Sequence, residues 1–449
     1  MGVYLLVLVG TTIAVTDATR TCAAWPACGS GSSLPTTAAG ALVVGHRVAA
    51  VGVGLLVLAA GIAAWRTDCS RRVRAALGVS LLCYPVQAAL GALVATTGAT
   101  EALSALHLLV GMVIFGGLVA ALAWTLELAT GDTDEGPVAD LSPPEASVGR
   151  TERPTLPEAP LARARTVAAA YFRLTKPRLM WLLCLVASAG MALAAGPALA
   201  PRTVVLTLLG GVLSIGASGT FNHVFERDID RRMSRTSDRP LATDIVSVRN
   251  ALAFGALLTL GSLAAFAAVN PLVAVLGLVA IVFYSVIYTL VLKPNTVQNT
   301  VIGGAAGALP ALIGWAAVTG TIGLGGLLLA TVIFLWTPAH FYNLALAYKD
   351  DYARGGFPMM PVVRGETETR KHILWWLGAT FVGAGALAAW ESLGWLYVFV
   401  SVALGAVFLW AVVRLHFDRT ESAAFRAFHA SNAYLGALLL AVVVDTLAV

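Results

Sequence analysis

The stretch NHVFERDIDRRMSRTSDRPL, residues 222–241, carries oxygen-bearing side chains at a fixed interval. Asn222, Glu226 and Asp230 recur every four residues, which on a helix puts them on one face. One residue on, Arg227, Arg231, Arg235 and Arg239 form a second series at the same interval. Stacked oxygen ligands suit Mg²⁺, which takes one or two carboxylates and shares its remaining shell with substrate phosphates. Guanidinium groups suit phosphate oxygens, which they grip in bidentate fashion. The combination reads as a metal–diphosphate site. A solvated loop with local ion pairs also accounts for the arginines, because such pairs are common and worth little. It accounts less well for four acids set among them.

A second charged block, AYKDDYARGGFPMMPVVRG (347–365), places Asp350 and Asp351 side by side, with Lys349 and Arg354 near them. Two acid clusters on one end of a helical bundle can hold metal against a diphosphate leaving group, whose charge must be neutralised as its C–O bond breaks. A third piece, YTLVLKPNTVQN (288–299), adds Lys293. It reads equally well as a diphosphate ligand or as a lysine snorkelling to the membrane surface. The expected metal-holding catalytic set is therefore Asn222, Glu226, Asp230, Asp350 and Asp351. The expected diphosphate ligands are Arg227, Arg231, Arg235, Lys293 and Arg354.

These blocks interrupt a strongly apolar chain. Of 449 residues, 58% are hydrophobic and only 12% charged, against about 25% charged in soluble domains. An all-α integral membrane protein follows. About thirteen spans are expected, near 2–16, 40–64, 75–97, 103–127, 179–199, 203–221, 249–268, 272–292, 299–318, 323–343, 373–390, 394–413 and 430–448. Arginine and lysine crowd alternate loops, which sets orientation: N-terminus cytoplasmic, C-terminus outside, both acid clusters on the cytoplasmic side of a cell membrane. The net charge of +5 belongs to those loops and gives no reason to propose a nucleic-acid partner. Residues 131–165 are rich in Pro, Glu, Ser and Thr without apolar periodicity, and read as a disordered cytoplasmic linker. The chain divides into a four-span block (1–130), that linker, and a nine-span block (166–449). Cys22 and Cys28 lie in a loop placed outside, where a disulfide can persist. Spacing alone leaves their pairing open.

The NxxxDxxxD-like pattern, the aspartate pair and the nine spans resemble the UbiA-type membrane prenyltransferases. Finer wording narrows the resemblance. TKPRLMWLL (175–183), the 222–241 stretch, LKPNTVQNTVIGGAAGALPALIGWAAVTG (292–320), FLWTPAHFYNLALAYKDDY (334–352) and GGFPMMPVVRG (355–365) are similar, in order, to the heme O synthases. That resemblance implies a Mg²⁺-dependent transfer of farnesyl from farnesyl diphosphate to the vinyl group of protoheme IX (heme B), giving heme O, with the polyisoprenoid tail among membrane-embedded helix faces. It implies His340 as a heme contact; a hydrogen bond across helices is the other reading of that residue. Glu226 departs from the pattern, which has Asp there.

The four-span block resembles the N-terminal half of the heme A synthases, through TRTCAAWPACGSG (19–31), GHRVAA (45–50) and ALHLLVG (105–111). Its spans two and four enter from the same side, so His46 and His107 sit at similar depth and can ligate one heme iron from opposite faces. Two polar residues bridging helices is the plainer reading. Val43 stands where that family has an acid. The block either forms a homodimer that supplies the missing half, or binds heme without oxidising it, or passes heme on in association with a heme A synthase or terminal oxidase assembly. Other functions carried forward are a bifunctional protein contributing to heme A, a UbiA-type enzyme with a quinone or lipid acceptor, and a transporter. The transporter reading expects intramembrane acids, which the nine-span block almost lacks.

Overall fold

The computed structural model describes residues 1–16, 18–22, 24–28, 35, 37–98, 100–131 and 155–448, and among them the chain is helical with no strand. In chain order the helices are α1 (Gly2–Val15), α2 (Ala38–Arg66), α3 (Arg71–Thr97), α4 (Glu101–Thr130), α5 (Pro160–Leu174), α6 (Pro177–Ala195), α7 (Pro201–Phe225) and α8 (Arg227–Asp230). They continue as α9 (Val248–Ala267) and α10 (Pro271–Val282), which runs on as a π-helical stretch, Phe283–Leu292. Then come α11 (Lys293–Asn295), α12 (Asn299–Thr319), α13 (Leu324–Ala347), α14 (Lys349–Arg354), α15 (Met360–Val363), α16 (Glu366–Glu391), α17 (Trp395–Phe417) and α18 (Glu421–Leu447).

Among the described residues, 12 helices are long and apolar enough to cross a membrane. The expected span at 2–16 is not one of them. Helix α1 has 14 residues, about 21 Å at 1.5 Å per residue, against a hydrocarbon core of about 30 Å. Protein, rather than length, holds it in place. Tyr4 is buried, its hydroxyl lies 2.6 Å from Ser401 Oγ, and its ring stacks on Phe381 at 4.8 Å.

The linker boundary also shifts. Residues 132–154 of the expected linker lie outside the described residues, but its last residues are helical. Pro160 sits in the first turn of α5, where a missing N–H costs nothing. Ala170 and Leu174, four apart, pack against Leu241, Val246 and Ala251. Prolines upstream masked this short apolar face in a composition-based reading.

The four-helix and nine-helix parts share one core, which holds Tyr4, Ile114 and Phe115 together with Ile373, Leu377 and Phe408. Lys371 Nζ joins them further, 2.6 Å from Glu127 of α4 and 2.5 Å from Glu368 of α16. Arg419 donates to the Thr130 carbonyl. The charged loops after α7 and α13 therefore lie at the same end of the bundle as the C-terminus of α4. At the opposite end Cys22 and Cys28 are joined by a disulfide. Arg47 Nη1 donates to the carbonyls of Ala24, Pro26 and Ala27 at 2.8, 3.0 and 3.0 Å.

Two glycines bring α6 and α12 together. A Cβ on Gly314 would collide with the Ala187 carbonyl, and one on Gly190 with the Ala311 carbonyl. Small residues at such reciprocal positions let helix backbones touch. Gly314→Ala is expected to destabilise the purified protein by about 1–3 kcal/mol, the usual cost of overpacking. Gly78→Ala, where a Cβ meets nothing within 4 Å, is expected to leave the unfolding temperature in detergent unchanged.

Candidate active site

Helix α7 ends at Phe225, but its hydrogen bonding continues into the charged stretch. Glu226 N donates to the Asn222 carbonyl at 2.9 Å and Asp230 N to the Glu226 carbonyl at 2.8 Å. The four-residue repeat therefore survives the end of the apolar helix. Asn222, Glu226 and Asp230 lie on one side, all buried.

Cations converge on them. Lys293 Nζ lies 2.5 Å from Glu226 Oε1, and Arg239 Nη1 lies 3.8 Å from Glu226 Oε2. The same Arg239 nitrogen is 2.8 Å from both Asp230 oxygens. Lys176 Nζ donates to Asn222 Oδ1, and to Tyr284 Oη at 3.1 Å. Burial would raise the Glu226 carboxyl, but Lys293, Lys176 and Arg239 together hold it below the usual carboxylate range. Asp230 goes the other way: burial lifts it above its ordinary value, with Glu226 adding and Arg239 opposing. Lys176 is pushed down to about 7 by burial, with Arg239 adding and Glu226 opposing. Taking charges out of water is costly unless they are paired, and this cluster pairs them.

Asn222, Glu226, Lys176, Arg235, Arg239 and Lys293 line the mouth of a cavity of about 1130 Å³. Its depth is apolar, with Phe266, Ile313, Ile333 and Trp336 among the lining residues. Its volume lies just above the roughly 300–1,000 Å³ of ordinary ligand pockets. His340 is in its wall, with the ring between Trp336 at 4.2 Å and Phe428 at 4.3 Å. Its Nδ1 is 2.6 Å from Ser431 Oγ. The cross-helix bond is therefore present, and both faces of the ring are covered by aromatic neighbours.

The remaining expected site residues separate into two groups. Arg227 and Arg231 turn away from the cavity. Arg227 pairs with Asp228 at 3.2 Å, and Arg231 with Asp228 at 3.4 Å and Asp244 at 2.9 Å. Asp350, Asp351 and Arg354 line a different, smaller pocket of about 420 Å³ with Lys349 and Glu366. Asp351 is fully engaged there. It accepts from Ser234 Oγ at 2.7 Å, Ser234 N at 3.2 Å and Arg235 N at 3.1 Å, and pairs with Arg354. Burial would raise it, but these bonds hold it below its ordinary value. Asp350 is exposed. The aspartate pair thus does not face the first acid cluster across the cavity. Its buried member holds the backbone that carries Arg235.

Lys176 and Arg239 were missing from the expected ligands. Arg239 was visible as the last member of the arginine series. Lys176 has a backbone signal instead: φ 52°, ψ 55°, a left-handed conformation unusual for a residue with a Cβ. Such strain concentrates at functional positions.

The donor set fits one divalent cation. Glu226 and Asp230 reach the same cationic nitrogen of Arg239, the convergence a metal bound by two carboxylates requires. Among the described residues no three acid, Cys or His side chains cluster as a metal site of their own. This suits Mg²⁺, which completes its shell with phosphate oxygens, and does not suit a metal held by protein alone. Asp350 and Asp351 do not fit the same ion.

The sequence profile of the UbiA prenyltransferase family matches residues 182–436. The chain is 65% identical over 452 residues to a protein named protoheme IX farnesyltransferase from Haloarcula marismortui, covering 100% of this chain and 96% of that one. It is 44% identical over 292 residues to a protoheme IX farnesyltransferase 1 from Saccharopolyspora erythraea, covering 64% of this chain and 93% of that one. A solved structure of digeranylgeranylglyceryl phosphate synthase superposes with a TM-score of 0.54 at 15% identity, covering 63% of this chain and 100% of that one.

The cavity mouth predicts a binding result. Inorganic diphosphate with Mg²⁺ is expected to raise the unfolding temperature of the purified protein, since a ligand that binds only the folded state stabilises it. Arg239→Gln and Lys293→Gln should lose most of that shift, and Arg227→Gln should keep it, as read by tryptophan fluorescence during heating.

Proposed function

The chain belongs to the UbiA prenyltransferase family, and on that premise we propose that it is a protoheme IX farnesyltransferase, joining the farnesyl group of farnesyl diphosphate to a vinyl group of protoheme IX to give heme O. The observation that carries this reading is the cavity mouth, where Glu226 sits beside Lys176, Arg235, Arg239 and Lys293 above an apolar chamber, with Asp230 behind it on the same Arg239 nitrogen. A quinone or lipid acceptor finds less support, because the relatives that span the whole chain share one printed name.

Asn222, Glu226 and Asp230 would hold Mg²⁺ together with diphosphate oxygens. When bound, the metal supplies charge that neutralises the leaving group. Lys176, Arg235, Arg239 and Lys293 hold the diphosphate from the protein side and place its prenyl chain toward the apolar depth. The allylic C–O bond breaks and its electron pair leaves with the diphosphate. The vinyl π electrons form the new C–C bond, water adds to the resulting cation, and one proton is released. The apolar wall that includes Trp336, His340 and Phe428 encloses the chamber and keeps water from the first cation. We place this mouth on the cytoplasmic side, from the arginines and lysines of its loops.

A second reading concerns α1–α4. His46 and His107 each have a buried Nδ1 with no hydrogen-bond partner, and two such imidazoles suit axial ligation of a heme. That block would bind heme, alone or completed by a second copy, and contribute to heme A formation.

Expression in cells lacking their own heme O-forming enzyme, followed by mass spectrometry of extracted hemes, tests both readings. Heme O is the expected product. Protoheme alone would sink the first reading, and heme A in addition would establish the second. Asp230→Asn should lower heme O formation by roughly 10²-fold or more, the scale of losing a charge-stabilising group in a dry site, while the protein still accumulates.

A further inference from the structure

The π-helical stretch Phe283–Leu292 packs beside Asn222. Such widened turns are rare and favour functional sites. Here the turn brings residue 289 over residue 284, so Thr289 Oγ1 donates to the Tyr284 carbonyl five residues back, at 2.8 Å. A threonine hydroxyl has one proton, and this bond uses it. The oxygen is left to accept, and Asn222 Nδ2 donates to it at 3.1 Å.

That chain of bonds orients an amide. With its NH₂ on Thr289, Asn222 must turn Oδ1 the other way, where Lys176 donates to it. The ammonium has no acceptor, so the two ends agree on one orientation, which is how an amide is assigned from its network. Tyr284 anchors both ends, its carbonyl through Thr289 and its hydroxyl through Lys176. Asn222 and Thr289 are 2% and 4% exposed, so water does not substitute for either partner.

We propose that Thr289 is a positioning residue: held by the π-turn, it locks the Asn222 amide with its oxygen toward the cationic side of the cavity and its NH₂ away. This rests on the reading of Asn222 as a Mg²⁺ ligand. Flipped by 180°, the same amide would present two N–H donors to a cation. Partners that orient metal ligands commonly contribute 10–100-fold to affinity.

The test uses the full-length protein in detergent, with Mn²⁺ and inorganic diphosphate as probe and electron paramagnetic resonance as readout. Thr289→Val keeps the shape and removes the acceptor; Thr289→Ser keeps both the acceptor and the donor. The valine variant is expected to weaken Mn²⁺ binding by about 10-fold. It should also raise the Mg²⁺ needed for half-maximal heme O formation, with a smaller change at saturating Mg²⁺. Thr289→Ser is expected to restore both. Should Thr289→Val not accumulate, Thr289→Ala, which only removes atoms, replaces it. Unchanged Mn²⁺ affinity without the acceptor, or equal weakening in Thr289→Ser, overturns the proposal. Asn222→Ala run in parallel separates the two levels. If it also leaves Mn²⁺ binding intact, the ligand assignment itself has failed; if it alone weakens binding, only the lock has.

Discussion

Charges drawn into an apolar bundle have to be neutralised in place, and that requirement organises this molecule. Glu226 and Asp230 are almost wholly buried, and neither would remain ionised there alone. Their partners arrive from separate parts of the chain: Lys293 from the end of the π-helical stretch, Arg239 from the connection before α9, and Lys176, one shell further out, from the turn before α6. The folding of three connections is thus tied to one ion cluster. The helices supply the dry surroundings that make the pairing strong, and the pairing closes the end of the bundle that the helices alone would leave frayed.

The spans were legible because a lipid-facing helix needs a long apolar run, and nothing else in this chain resembles one. The register of Asn222, Glu226 and Asp230 was legible because helical hydrogen bonds run through Glu226 and on to Asp230 without a break. The arginine series failed at the point where that regularity stops. Beyond Asp230 the chain turns repeatedly, so an interval of four no longer means a shared face. Arg231 swings out to Asp244 while Arg239 swings in to Asp230. Adjacent aspartates pose a related problem. Residues next to each other on a helix point about 100° apart, and here Asp351 turns in to Ser234 and Arg235 while Asp350 is exposed. Sequence carried no sign of which would be buried.

Lys176 and the π-turn were hidden for another reason. A left-handed lysine and a widened helical turn are imposed by neighbours and have no composition of their own. The short first helix was misjudged because apolar content reports burial without reporting against what. Tyr4 and Leu8 are buried in protein, where the reading supposed lipid. The histidines of α2 and α4 illustrate the limit from the other side. Their placement near one end of the bundle could be counted from helix lengths, yet their unpartnered Nδ1 atoms are visible only in three dimensions.

The bonds from Ser234 and Arg235 to Asp351 have a mechanical consequence. Two successive backbone N–H groups and a hydroxyl clasp one carboxylate, and that carboxylate belongs to a different connection. The loop after α7 and the loop after α13 are thereby latched into one lever at the bundle's end. The Arg235 side chain adds a second tie between these loops, its guanidinium lying over Tyr348 at 4.8 Å and Tyr352 at 5.6 Å. The outer pocket holds none of the converging carboxylates, yet its Asp351 fixes the backbone of Arg235, which lines the inner one.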